Sequence, residues 1–298
     1  MGNKLKDKVA IITGSGQGVG RAIALAMANE GARIVTNGRS THGSPENVAK
    51  EITELGGQAI PFIGDISNFK VARELVQTAL NRFGRLDILV NNAGRGDGGK
   101  MVWDMTEEDW DNMIASHLKG TFNCIRHASV IMKEQRWGRI VNTTSGARVG
   151  MVERCHYSAA KAGIVGLTKS VALEMDKFGV TCNAYSPSAG SARWTQERKA
   201  ELDKYLAEGT VTKEFHDYML NPPPPEANVA LVVYLCTDEA AYINGQVFSV
   251  RGGKIRIYKE EVKNSVVKEE GFWEVEELVA SVPKVLMKGI ESRIGPTP

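Results

Sequence analysis

Short apolar runs alternate with longer amphipathic stretches along most of the chain, and this alternation restricts the fold more than any other feature. VAIIT (9–13), ARIVTN (32–37), QAIPFI (58–63), LDILVN (86–91), RIVNTT (139–144), VTCNAYS (180–186) and QVFSV (246–250) read as seven strands. Between most of them lie segments such as RAIALAMANEG and VARELVQTALNRFG, whose apolar residues recur three and four apart and which end at glycine. Strands separated by whole helices run parallel and are covered on both faces. The expected fold is therefore α/β, a doubly wound parallel sheet of seven strands with helices on both faces. In such sheets ligands bind beyond the carboxyl ends of the strands, so chemistry is sought in the residues that follow each run.

With 298 residues, 42% of them hydrophobic, the chain has ample material for a core. Residues 1–253 read as one dinucleotide-binding catalytic domain. Residues 254–298 read as a C-terminal extension that docks on the body or on a neighbouring subunit: GFWEVEELVASV places Phe272, Val275, Leu278, Val279 and Val282 on one helical stripe before Pro283. Residues 188–225 break the rhythm and end in NPPPP, as an excursion covering a substrate site would. The formal net charge is +2 and no block of like charges occurs, which points away from nucleic acid and membrane and toward a small-molecule substrate. Cys124, Cys155, Cys182 and Cys236 are scattered without a C-x-x-C pair, so neither a metal site nor a disulfide framework is expected. No apolar run is long enough for a leader or a membrane span, and a reducing cytoplasmic location is expected.

After the first run comes TGSGQGVGRA, opening straight into a helical stretch. Backbone approaches a pyrophosphate only where Cβ is absent, and the amino end of a helix offers unpaired N–H groups and partial positive charge. The spacing departs from G-x-G-x-x-G, and the workable reading is Gly14-x-x-x-Gly18-x-Gly20, with Ser15, Gln17 and Val19 completing the turn. No Lys-Ser/Thr pair follows, which excludes a triphosphatase loop. The sheet is thus expected to be Rossmann-like. A site for NAD wants an acid about 20 residues on, after the second strand. TNGRSTH has none there and offers Arg39 beside Ser40, so NADP is the preferred cofactor over NAD.

In YSAAK, Tyr157 and Lys161 stand one helical turn apart on one face. A free phenol, with a pKa near 10, is too weak an acid to exchange protons readily at neutral pH, and a neighbouring ammonium lowers that value. Transfer of hydride to or from a carbinol needs such a group, because a proton must leave or arrive at the oxygen as well. The hydroxyls of Thr143, Thr144 and Ser145 end the fifth strand, where one of them could hold a substrate oxygen.

TGSGQGVG, NNAG (91–94), the strand-five hydroxyls and YSAAK, in this order, resemble the short-chain dehydrogenase/reductase family over residues 7 to about 253. The resemblance implies that Tyr157 is the acid/base and that Lys161 lowers its pKa and holds the nicotinamide ribose. It implies that Ser145 binds the substrate oxygen, that Asp65 with Ile66 faces the adenine, and that Asn92, Ala93 and Gly94 line the cofactor. Pro187 and Ala189, after the sixth strand, join the cofactor contacts. A homodimer or homotetramer is implied, paired through the helices that follow strands four and five. Members usually separate the substrate-binding serine from the tyrosine by thirteen residues, whereas Ser145 precedes Tyr157 by twelve and Thr144 by thirteen. Ser145 is preferred because loops absorb deletions more easily than strands, and Thr144 is the alternative.

In SHLKGTF, His117 stands where many members carry an asparagine that anchors a relay water, and imidazole can hold or pass a proton near neutral pH. SHLKGTF, SPSAGS, VALVVYLC and INGQVFSVRGGKI together resemble the (3R)-hydroxyacyl-CoA dehydrogenase domain of peroxisomal multifunctional enzyme type 2. The expected activity is that of an NAD(P)-dependent oxidoreductase interconverting a secondary alcohol and a ketone, with a 3-hydroxyacyl-CoA-like substrate. A cyclic or steroidal ketone reductase and a non-catalytic nucleotide-binding regulator are the alternatives.

Overall fold

The computed structural model describes residues 2–39, 44–96, 99–188, 196–259, 264–268 and 273–289. Its strands are β1 (Val9–Ile12), β2 (Arg33–Gly38), β3 (Gln58–Ile63), β4 (Ile88–Asn91), β5 (Gly138–Thr143), β6 (Val180–Ser186), β7 (Val247–Arg251) and β8 (Lys254–Ile257). Its helices are α1 (Gly18–Asn29), α2 (Pro45–Glu54), α3 (Phe69–Phe83), α4 (Glu107–Ile114), α5 (Gly120–Gln135), α6 (Cys155–Met175), α7 (Gln196–Ala207), α8 (Lys213–Leu220), α9 (Val229–Leu235) and α10 (Val275–Ser281). The strands form one sheet in the order β3-β2-β1-β4-β5-β6-β7-β8, parallel except for the last, antiparallel pair. All seven runs read from the sequence are strands of this Rossmann-like sheet.

The count of seven is corrected to eight by β8. Its signal lay in the sequence: Gly252 and Gly253 make a two-residue hairpin turn, Gly252 at φ +56°, and K-I-R-I alternates with period two. All four β8 residues are exposed, so this edge strand lacks the apolar run of the buried strands such as β1 and reads as charged tail.

Parallel strands covered on both faces must be apolar on both, and β1 is buried at all four positions. Ile12, Ile34 and Val90 pack with Ile23 of α1, Val48 of α2 and Leu231 of α9 on one face. Ile11, Val35 and Ile140 pack with Leu75 of α3, Ile125 of α5 and Val171 of α6 on the other. The chain runs outward from β1 to β2 and β3, then crosses back to place β4 on the opposite side of β1. That reversal opens a crevice at the carboxyl ends of β1 and β4.

The chain divides into two compact units, Met1–Trp194 with Met219–Tyr258, and Thr195–Tyr218 with Lys259–Pro298. In the second, His216 bridges Asp203 (2.7 Å) and Asp217 (3.3 Å), and Lys268 pairs with Glu277. Of the expected tail stripe, Val275 and Val279 are exposed on α10, and Phe272 lies outside the described residues. No described helix is long and apolar enough to cross a membrane, and no described group of three or more His, Cys, Asp or Glu could hold a metal. The four cysteines are free thiols.

A buried polar chain fixes α6 against the sheet. Asn91 of β4 donates to Asn142 Oδ1 (2.8 Å), Asn142 of β5 donates to Thr168 Oγ1 (3.0 Å), and Thr168 of α6 donates to the Ile164 carbonyl (2.7 Å). These directional bonds set the rotation of α6 more tightly than apolar packing alone, because a satisfied amide tolerates only one register. Asn142→Ala leaves the buried Asn91 amide without its acceptor and takes a donor from the Thr168 hydroxyl oxygen. We expect a loss of about 1–3 kcal/mol in stability, read by urea denaturation, with no change in the cooperativity of unfolding.

Candidate active site

The glycines of the first loop have separate physical tasks. Gly14 lies at φ +64°, and a Cβ there would sit 2.7 Å from the Ala93 Cα; one on Gly20 would sit 2.3 Å from the Gly14 carbonyl oxygen. Both let the loop pack tightly against the segment after β4. Gly18, at φ +56°, faces open space instead. It begins α1, whose N-cap residue Gln17 makes no side-chain cap bond and whose first turn carries no acid. The uncapped N–H groups and the bare surface suit the phosphates of a dinucleotide.

Several expected cofactor residues act from behind the loop. The Ser15 N–H donates to the Asn37 carbonyl (2.8 Å) and its hydroxyl accepts from the Asn37 N–H (2.9 Å), locking the loop to β2. Asn92 donates to the carbonyls of Thr13 (3.0 Å) and Gly14 (3.2 Å), and Val19 packs on the core. By contrast, Gly14, Gln17, Arg39, Asp65, Ile66, Ala93 and Gly94 line one cleft at the reversal point of the sheet. Gly16, Asn37, Gly38, Gly64, Arg95 and Ser116 line it as well and were not singled out from the sequence. For Asn37 and Gly64 the signal was position alone, directly after strands two and three. Pro187 follows β6, half-buried and outside this lining; Ser40 and Ala189 lie outside the described residues.

At one end of the cleft the Arg39 guanidinium stands 3.4 Å from Asp65, both side chains partly exposed. Burial alone would raise the Asp65 pKa. The Ser67 N–H bond (2.9 Å) and the Arg39 charge outweigh it and hold the carboxyl below its usual range.

Tyr157 and Lys161 project from the first turns of α6, as their spacing requires. Lys161 is 3% exposed; its Nζ lies 5.5 Å from the Tyr157 ring centroid and donates to the Thr143 carbonyl at the end of β5 (2.7 Å). Burial pulls the amine down to about 7, so it exchanges a proton near neutrality. Thr144 is buried and spends its hydroxyl on the Lys161 carbonyl (2.8 Å), bracing strand against helix. Ser145 is half-buried and accepts from the Ala147 N–H (3.2 Å); no described acceptor takes its own proton. Of the two hydroxyls, only that of Ser145 retains a proton to offer a ligand.

His117 sits in a single π-helical turn, Ala115–Lys119, between α4 and α5. Such turns occur frequently at functional sites. Its ring meets Tyr157 edge to face, centroids 5.3 Å apart at 84°. Its Nε2 lies 3.0 Å from the Arg95 carbonyl oxygen, and Nδ1 is buried without a hydrogen-bond partner among the described residues. A Cβ on Gly94 would fall 2.3 Å from the ring, so Gly94 serves the histidine as well as the cleft. Burial, reinforced by Lys161, pushes the imidazole down to about 3. At neutral pH the ring is therefore uncharged.

Residues 8–203 match the family model described as short chain dehydrogenase. Among curated proteins, the chain is similar to a 3-oxoacyl-[acyl-carrier-protein] reductase of Synechocystis, 36% identical over 254 residues that cover 84% of this chain and 98% of that one. It is also similar to the hydroxyacyl-CoA dehydrogenase ChsB1 of Mycobacterium tuberculosis, 36% identical over 85% of this chain and 80% of that protein. Among solved structures, a short chain dehydrogenase from Mycobacterium avium superposes with a TM-score of 0.81 at 37% identity, covering 99% of each chain.

The buried histidine makes stability depend on pH. Its folded-state value of about 3 lies below the 6.5 of an unperturbed imidazole, so the unfolded chain takes up the proton first. Stability is lost as pH falls from about 6.5 toward 3. His117→Asn removes this contribution, and denaturant midpoints measured at pH 8 and pH 4 should fall less steeply for the variant than for the parent.

Proposed function

The chain belongs to the short-chain dehydrogenase family of NAD(P)-using oxidoreductases, and from that premise we propose that it interconverts a secondary alcohol and a ketone on a 3-hydroxyacyl thioester, with NADP as the preferred cofactor. The observation that carries this reading is the pairing of Tyr157 with a buried Lys161 at the junction of β5 and α6.

In this reading the glycine loop and the amino end of α1 hold the dinucleotide phosphates. Lys161 holds the nicotinamide ribose, and Arg39 meets a 2′-phosphate. When bound, the cofactor accepts or supplies the hydride. The protein's own task is then the proton. Ser145 donates a hydrogen bond to the substrate oxygen and orients it toward Tyr157. The phenol gives its proton to that oxygen on reduction and takes it back on oxidation. Lys161, whose protonation is balanced near neutrality, stabilises the phenolate by charge and is kept in place by the Thr143 carbonyl. The uncharged ring of His117 abuts Tyr157 without competing for the proton, and its Nε2 contact with Arg95 fixes the adjoining cleft wall.

The substrate class is supported by the two relatives above, whose names place their chemistry on 3-oxoacyl and hydroxyacyl groups. We also read the chain as a homodimer or homotetramer, supported by the exposed apolar side chains of Phe122 and Val130 on α5 and Leu173 on α6. An NAD(P)H absorbance assay against 3-oxoacyl thioesters, cyclic ketones and steroidal ketones tests the reading. Turnover confined to cyclic or steroidal ketones would overturn the thioester assignment.

Two variants probe the roles directly. Tyr157→Phe should lower turnover by roughly 10²–10⁴-fold while leaving dinucleotide affinity, followed by fluorescence titration, unchanged. Arg39→Ala should weaken NADP roughly 10- to 100-fold and NAD hardly at all; equal losses for the two would remove the 2′-phosphate assignment.

A further inference from the structure

We propose that one face of the β7–β8 hairpin is a binding site for the phosphorylated adenosine handle of a coenzyme A thioester. This rests on the thioester reading above. The register pairs Ile257 with Phe248 and Ile255 with Val250, and both β7 partners belong to the core. Side chains alternate along a strand, so Lys254, Arg256 and Tyr258 face the other way, together with Arg251, the cross-strand partner of Lys254. From that side comes Arg148, whose guanidinium lies 3.6 Å from the Tyr258 ring centroid. Four cations and one aromatic ring thus gather at the last hairpin of the sheet.

Two features bear on this face. Lys254 and Arg256 form no ion pair with any described carboxylate, whereas Lys4 pairs with Glu239 and Lys50 with Glu54. Like charges on one small face repel each other and favour an anion that neutralises several at once. Second, the face is tied to the reaction centre. Arg148 belongs to the helical turn Gly146–Val149 that the Ser145 hydroxyl caps, so one cation of this face lies in the same short segment as Ser145, and it reaches the hairpin through the Tyr258 ring. Coenzyme A presents a phosphomonoester and a diphosphate for the cations. Its adenine is a planar group for the Tyr258–Arg148 stack. A single free phosphate would use the charges and leave the ring unexplained.

The test compares acetoacetyl-CoA with the carrier-free acetoacetyl N-acetylcysteamine thioester, using the full-length parent and the double variant Lys254→Gln/Arg256→Gln. We expect the KM for the coenzyme A substrate to rise roughly tenfold with kcat kept, and the KM for the truncated thioester to stay unchanged. Added salt should raise the coenzyme A KM of the parent and barely move that of the variant. Equal effects on both thioesters, or none, would overturn the site and leave the charges as protection of an exposed edge strand. A loss seen only with acetoacetyl-acyl carrier protein would also overturn it, in favour of an acidic protein partner. If the parent reduces neither thioester, the substrate reading has failed by itself. Calorimetric titration of coenzyme A then decides the face separately: binding that the double variant abolishes sustains it, and no binding by the parent overturns it.

Discussion

An amine nearly sealed from water at the junction of β5 and α6 is the interaction on which the site depends. Lys161 has little water to solvate its charge, and the groups around it decide how that charge is held. The Thr143 carbonyl takes one N–H, and Thr144 returns a bond to the Lys161 carbonyl, so strand end and helix are stitched in both directions. The arrangement brings the amine to a balance between protonated and neutral forms near pH 7. A fully solvated lysine in the same place would be a permanent cation, and its field would be screened by the water around it.

Holding α6 in one rotation is the structural counterpart of that electrostatic tuning. The Asn91–Asn142–Thr168 chain runs through the interior across two strands and a helix, where each bond has only one geometry. On the opposite wall, His117 is enclosed by Tyr157, Gly94 and the Arg95 main chain. The π-turn that presents this ring gives up regular helical bonding between α4 and α5, and the ring it carries meets Tyr157 edge to face. His117 shows why residue type alone misleads. An imidazole in water titrates near neutrality, whereas this one is kept uncharged by burial beside a lysine.

Much of the fold was legible because burial leaves a periodic record in sequence. Parallel strands covered on both faces must be continuous apolar runs, and all seven such runs are strands. β8 was missed for the complementary reason: an exposed edge strand carries no such record, and its Gly-Gly turn sat inside a charged stretch. The glycine-rich turn between β1 and α1 was legible as a tight strand-to-helix turn. The division of labour within it was not: Gly14 and Gly20 make room for neighbouring backbone, while Gly18 is the one that faces open space. Nothing in the spacing distinguishes these tasks.

By itself the sequence determined the layer architecture, the cleft's place at the carboxyl ends of the strands, and the shared face of Tyr157 and Lys161. Each follows from periodicity, which is local and survives without knowledge of neighbours. Tertiary structure alone decided which of Thr144 and Ser145 keeps its proton, that Lys161 is poised near neutrality, and that His117 is uncharged. It also decided that Ser15, Val19 and Asn92 support the loop from behind. Those properties depend on desolvation and on hydrogen bonds between residues far apart in the chain, and no pattern within one segment encodes them.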